Sequence, residues 1–327
     1  MAPIAAIAAM AAAMLGAGGL LASCSSSPTS AAGSPSATKG SSPGTSQSPT
    51  TSPTTTTTTT TTVPPQPGWQ VLATEATGVA VDERTITTPD GTAVTVIRFR
   101  AGQVHFDLHD GSQDPPAGSA ALPADGQSAV SATEAPLLLA AFNGGFKVTA
   151  HAGGTEIDGQ DLTPLVPGMA SLVIDSSGGA HIGVWGEGGY PPAGLQVQSV
   201  RQNLPPLVID GQPSPKAGTW TAWGATITGL HAVARSGIGM DRSGNLLYAA
   251  SMSCLPIDIA DALVSAGATI GMELDINPYW VQADVAAAAG APLVAQVPGQ
   301  QRPSNQFQAG WTRDFVTVLA GGPAPAG

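Results

Sequence analysis

Three stretches of this chain carry residue types that could act on a polar substrate. The first is Gly-Met-Glu-Leu-Asp-Ile-Asn-Pro-Tyr-Trp, Gly271 to Trp280. Met272, Leu274 and Ile276 alternate with Glu273, Asp275 and Asn277. Alternation with period two is the mark of an extended strand, whose successive side chains leave on opposite faces. Side chains two apart on one face sit roughly 7 Å apart. The Glu273 and Asp275 carboxyls would then lie within the range used by paired-carboxylate glycoside chemistry, with the Asn277 amide as a substrate contact beside them. A strand with one wet face has the same pattern.

The second stretch is Ala-Ala-Phe-Asn-Gly-Gly-Phe-Lys, Ala140 to Lys147. An apolar run ends there in Asn143-Gly144-Gly145, which permits positive φ and bare backbone, so that consecutive N–H groups can converge on an anion or a sugar hydroxyl. Asn-Gly is also a common hairpin turn. The third stretch, His231 to Ser251, sets Arg235 just ahead of Gly237-Ile238-Gly239. An Arg among small residues can take a phosphate or carboxylate in bidentate fashion, or pair with a structural acid.

The order of these pieces adds to each of them. An Asn-Gly turn, then Ala-Arg-Ser-Gly-Ile-Gly-x-Asp-x-x-Gly, a helix with a Gly stop, and a strand ending in Leu-Asp resemble the phosphodiester glycosidase family. The resemblance runs from about Asn143 to Asp275 and is densest from Ala234 onward. By position it places the family's Asn-Gly on Asn143 and Gly144, its Arg on Arg235 and its Leu-Asp on Leu274 and Asp275. The chain departs from the family after Asp275: Asp275-Ile276-Asn277-Pro278-Tyr279-Trp280 stands where the family continues Asp-Gly-Gly-Gly-Ser, and Pro278 removes a backbone donor.

The resemblance implies a hydrolase of glycosyl phosphodiesters or related cell-wall glycans. Arg235 would face the phosphate, Asp275 would serve as the carboxylate with Glu273 as second candidate, and Asn143, Gly144 and Gly145 would orient the substrate. Lys147 would supply local positive charge. The alternative is a module that binds an anionic glycan without cutting it. No cofactor and no metal is called for. His105, Asp107 and His109 share one face of a strand and could ligate a metal or simply be hydrated. Tyr279, Trp280, Trp220 and Trp223 could stack on sugar rings or pack in a core.

These groups need a scaffold. Asp and Gly punctuate β-branched runs at Pro89-Asp90-Gly91, Asp175 to Gly178 and Asp241 to Gly244, each a hairpin signal. One helix is expected from Asp258 to Gly267, and a second, Ala-rich one from Val281 to Ala289. The expected plan is α+β: a mostly antiparallel or mixed sheet packed on one or two helices in a single domain, 69–327.

Ahead of it, residues 1–24 are uncharged, Ala-rich and end in Leu-Ala-Ser-Cys, the order of a bacterial lipoprotein signal with Cys24 as the lipidated residue, or of a membrane anchor. Residues 25–68 are almost wholly Ser, Thr, Pro, Gly and Ala and cannot bury a core, so a disordered stalk is expected. At PPII rise its 44 residues (68 − 24) span roughly 130 Å. Both features imply an envelope-anchored, extracytoplasmic protein. With Lys39 in the stalk, the domain carries 10 basic against 22 acidic residues, 10 − 22 = −12, which excludes a nucleic-acid partner. Cys254 is then a lone thiol, with no disulfide partner left.

Overall fold

The three Asp/Gly turns close hairpins as expected. Gly91, Gly178 and Gly244 each take positive φ between paired antiparallel strands: Gly78–Thr87 with Ala93–Phe99, Ala170–Asp175 with Ala180–Val184, and Val233–Asp241 with Leu246–Cys254. The computed structural model describes residues 68–115 and 128–322. Residues 1–24 with Cys24, and nearly all of the 25–68 segment, lie outside the described residues.

Among the described residues, eighteen strands form three sheets, of eight, five and five strands, and their ladders are antiparallel. The described residues contain two α-helices, Pro256–Ser265 and a single turn at Gln306–Ala309. The α+β plan is therefore corrected to a mostly β architecture. The Ala-rich stretch accounts for much of the difference. Ala283–Ala286 is a buried strand paired to both Leu138–Asn143 and Leu293–Ala295. Small side chains fit a crowded sheet, and tertiary pairing overrides the helix preference of alanine. None of the described helices is long and apolar enough to cross a membrane.

Alternation along the central strands builds two cores. In Leu246–Cys254, Leu246, Tyr248 and Ala250 join a cluster with Phe106, Phe142, Leu172 and Val318 from the two smaller sheets. Leu247 and Ala249 face the other way, against Ile259, Ala260 and Leu263 of the long helix. The eight-stranded sheet thus has the two small sheets on one face and the helix on the other. Burial of this size, at about 25 cal/mol per Å² of apolar surface, is the main stabilising term.

The long helix starts three residues earlier than the sequence suggests. Pro256 occupies its first position and Asp258 its third, where the carboxylate accepts the Leu255 N–H at 2.8 Å. Gly267, φ +105, stops it as expected and turns the chain into the strand Ala268–Ile276.

Candidate active site

The Ala268–Ile276 strand is paired along its length with Val233–Asp241, but the register slips near its end. Gly237 faces Glu273 while Arg235 faces Ile276. Two steps on one strand are matched by three on the other, which is a β-bulge. The bulge separates the two acids that simple alternation places on one face. Glu273 stays with the helix-side layer and gives its Oε1 to Arg235 Nη1 at 2.7 Å; both side chains are fully buried. Asp275 instead meets Arg313, Oδ2 to Nη2 at 2.9 Å.

Asp275 and Arg313 line a cavity of about 680 Å³, together with Lys147, Asn277, Trp220 and Trp280. The charged residues on its wall are two cations and one carboxylate, an excess of one positive charge in a strongly acidic domain. Trp280 carries Lys147 Nζ 5.6 Å and Arg313 Cζ 5.3 Å from its ring centre. Across the cavity Trp220 stacks on His231 at 4.3 Å. Burial pushes the Asp275 carboxyl up to about 7, against the opposing pull of Arg313, the Ile276 N–H and Arg201. A carboxyl in that range exchanges its proton near neutrality, which suits acid–base work.

The glycines ahead of Lys147 serve this site from behind. Gly145 O accepts Arg313 Nη2 at 2.8 Å, and the Gly145 N–H donates to Asp314 Oδ2 at 2.9 Å. Gly144 O accepts the Asp275 N–H at 2.9 Å. A Cβ at 144 would drive into the Asp314 carboxylate, and one at 145 would lie 2.8 Å from Arg201 Cζ. Bare backbone is required because an ion pair packs against it. That pair, Arg201 Nε to Asp314 Oδ2 at 2.7 Å, is fully buried, and Arg201 also donates to Phe146 O at 2.6 Å. The turn thus clamps protein groups, and its amides are already spoken for.

Several expected site residues lie elsewhere. Arg235 is wholly buried, donates to Trp223 O at 2.8 Å and to Glu273, and does not line the cavity. Its Nε and Nη2, with Glu273 Oε2, have no hydrogen-bond partner among the described residues. Burial pushes Glu273 up to about 8, with Arg235 opposing. Asn143 is internal too: its amide donates to Ser236 Oγ at 3.0 Å, and its carbonyl accepts Tyr248 Oη at 2.8 Å and the Gln282 N–H at 3.1 Å. Trp223 is buried and donates to Lys216 O. Cys254 is a buried free thiol whose pKa burial pushes far up.

Lys147 and Asn277 do line the cavity with Asp275. Asn277 adopts φ +77, a left-handed conformation that asparagine tolerates and that a glycine would otherwise supply. Its Oδ1 accepts the Ile227 N–H at 3.0 Å, tying the loop before Val233 to the site.

The residues missed by sequence reasoning are Arg313, Asp314 and Arg201. A cue was present: Arg313-Asp314 is a charged pair abutting the apolar run Phe315 to Ala320, and buried charges need partners. Their spatial partners are hundreds of atoms away along the chain, so the sequence does not name them.

The His105, Asp107, His109 face forms as expected, but the group divides. His105 Nδ1 lies 2.9 Å from Gly321 O. His109 pairs with Glu134 at 2.9 Å and stacks on Phe315 at 4.5 Å. Asp107, His109 and Glu134 have ligating atoms within 4.8 Å of one another. Burial would raise Glu134, yet the His109 contact, with the Ser131 groups, holds it down at about 2.

No protein-family model matches the chain, and no curated protein does. Among solved structures it is similar to the zebrafish N-acetylglucosamine-1-phosphodiester alpha-N-acetylglucosaminidase catalytic domain, auto-inhibited by its pro-peptide. The identity is 15%, with 77% of this chain and 87% of that chain covered and a TM-score of 0.47. It is also similar to a hypothetical protein from Synechocystis, at 13% identity over 73% of this chain and 62% of that chain, TM-score 0.44. Both are likenesses of chain path, and neither transfers a residue's role.

Proposed function

We propose that this protein is an envelope-anchored, extracytoplasmic hydrolase that cleaves the sugar side of a glycosyl phosphodiester or a related wall glycan. The observation that carries the reading is the Asp275–Arg313 pair, 2.9 Å apart on the wall of one cavity that also holds Lys147 and two tryptophans. The role first given to Arg235 passes to Arg313. Arg313 lines the cavity beside Asp275, so its guanidinium is the cation placed to meet a phosphate oxygen there.

The chemistry asks little of an acid. A phosphate monoester is a good leaving group, so the bond between the anomeric carbon and the phosphate oxygen can break with its electron pair going to the phosphate. Arg313 and Lys147 offset that charge. Water adds its oxygen to the anomeric carbon and yields its proton to ionised Asp275, which also faces the oxocarbenium-like transition state. Trp280 and Trp220 offer flat apolar faces for pyranose rings.

Incubation with a hexose 1-(methyl phosphate) diester tests the reading. Release of free sugar by the native protein, lost in Asp275→Asn, is the expected result. Retention of intact diester without release would mark the protein as a binding module for anionic glycans.

A further inference from the structure

The mouth of the cavity is apolar on one side, where a purely polar substrate has no use for it. Ile227 lines the cavity and is 65% exposed; Leu230, in the same loop, is 62% exposed, and Tyr279, beside Trp280, is 53% exposed. Single exposed apolar residues are ordinary. These are linked: the Ile227 N–H donates to Asn277 Oδ1 at 3.0 Å, two residues before Tyr279, and the Gly229 N–H donates to Thr226 O, closing a turn between Ile227 and Leu230, which precedes His231, itself stacked on Trp220. The result is a lip of three exposed side chains beside a positively charged cavity, with Arg302 Cζ 5.8 Å from the Tyr279 ring centre. Three side chains fall far short of the roughly 1,000 Å² that a protein interface needs. The lip matches a hydrocarbon chain attached to an anion.

We infer that the substrate is amphiphilic, a sugar phosphate carrying an alkyl or prenyl chain, whose phosphate meets Arg313 and Lys147 and whose chain lies along Ile227, Leu230 and Tyr279. The inference rests on the glycosyl-phosphate reading above and names the group on the far side of the phosphate. Charge complementarity orients the ligand, since the cavity's excess positive charge takes the head and leaves the neutral tail for the lip.

The test titrates the full chain with ethyl phosphate and with decyl phosphate below its micelle concentration, read by calorimetry and tryptophan fluorescence. Decyl phosphate should bind about thirtyfold more tightly, the gain from two to three buried methylenes. In Leu230→Ser/Tyr279→Ser, two exposed positions off the cavity wall, the ratio should fall to about threefold or less, with ethyl phosphate affinity unchanged. A ratio near one in the native protein, or a large ratio that survives in the double variant, overturns the inference. Binding of plain phosphatidylcholine vesicles that the double variant loses reassigns the lip to a membrane surface and overturns it as well. Ethyl phosphate that fails to bind overturns the anion reading of the cavity, and this inference with it. Ethyl phosphate that binds without any chain-length effect overturns this inference alone.

Discussion

Asp275 and Arg313 reach each other from separate sheets, one from a bulged strand end and the other from the residue pair leading into Phe315–Ala320, and meet at 2.9 Å. Their contact is the point where cavity, charge and the glycine turn converge. Asp275→Asn keeps the shape and the Ile227–Asn277 tie while removing the charge. Turnover should fall by at least about a hundredfold, the scale of a lost acid–base group, with an unchanged fold by circular dichroism.

The same carboxyl sets a pH dependence. Its folded pKa, pushed up to about 7 by burial, exceeds the unfolded carboxylate value near 3.9, so the folded state holds the proton more tightly. The stability from this group is full below about pH 4 and is lost as pH rises through about 7. Asp275→Asn should therefore flatten the fall in Tm between pH 4 and 8. On the proposed hydrolysis the rate runs the other way, because the ionised form would accept the proton from water: kcat/KM should rise with pH and level off above about 7. A rate that falls across that window would make Asp275 an acid.

Arg313→Met removes both the counter-charge and the phosphate donor. The Asp275 midpoint in the pH–rate profile should move upward, and kcat/KM should drop by about a hundredfold to a thousandfold. Arg313→Lys should recover part of the rate without restoring the Gly145 contact geometry. A midpoint unmoved in Arg313→Met would sink the pairing.

Arg235 and Glu273 are expected to behave as a structural pair. Arg235→Met alone strands a buried carboxylate and should cost about 3–5 kcal/mol in urea unfolding. Arg235→Met/Glu273→Leu should return to within about 1–2 kcal/mol of the native protein, because apolar side chains can replace a buried ion pair. Hydrolysis by that double variant should persist. Its complete loss in a folded variant would hand the catalytic role back to this pair.

Gly144→Ala tests the clamp behind the site. The added methyl meets the Asp314 carboxylate, whose Oδ2 is already held by Arg201 and the Gly145 N–H. Destabilisation of about 1–3 kcal/mol or more is expected, with a loss of activity that Gly218→Ala, in open space, does not show.

Much of this protein follows from local chemistry. The Asp/Gly hairpins, the helix and its Gly267 stop, and the burial of Cys254 are set by φ preferences, caps and period-two burial, all of which act over a few residues, whereas the need for bare backbone at Gly144 and Gly145 comes from the distant Arg201–Asp314 pair. Lys147, Asn277 and Asp275, which line the cavity, were legible as candidates for the same reason: they end strands or turns that the pattern marks. What only the tertiary structure decided is which charges meet. A single extra residue between Glu273 and Ile276 sends one acid to Arg235 and the other to Arg313, and that slip depends on ladder pairing with Val233–Asp241. The Ala-rich strand was misread on the same ground, since its neighbours in the sheet come from distant segments. Register and ion-pair choice are properties of chains brought together, so no stretch of sequence holds them alone.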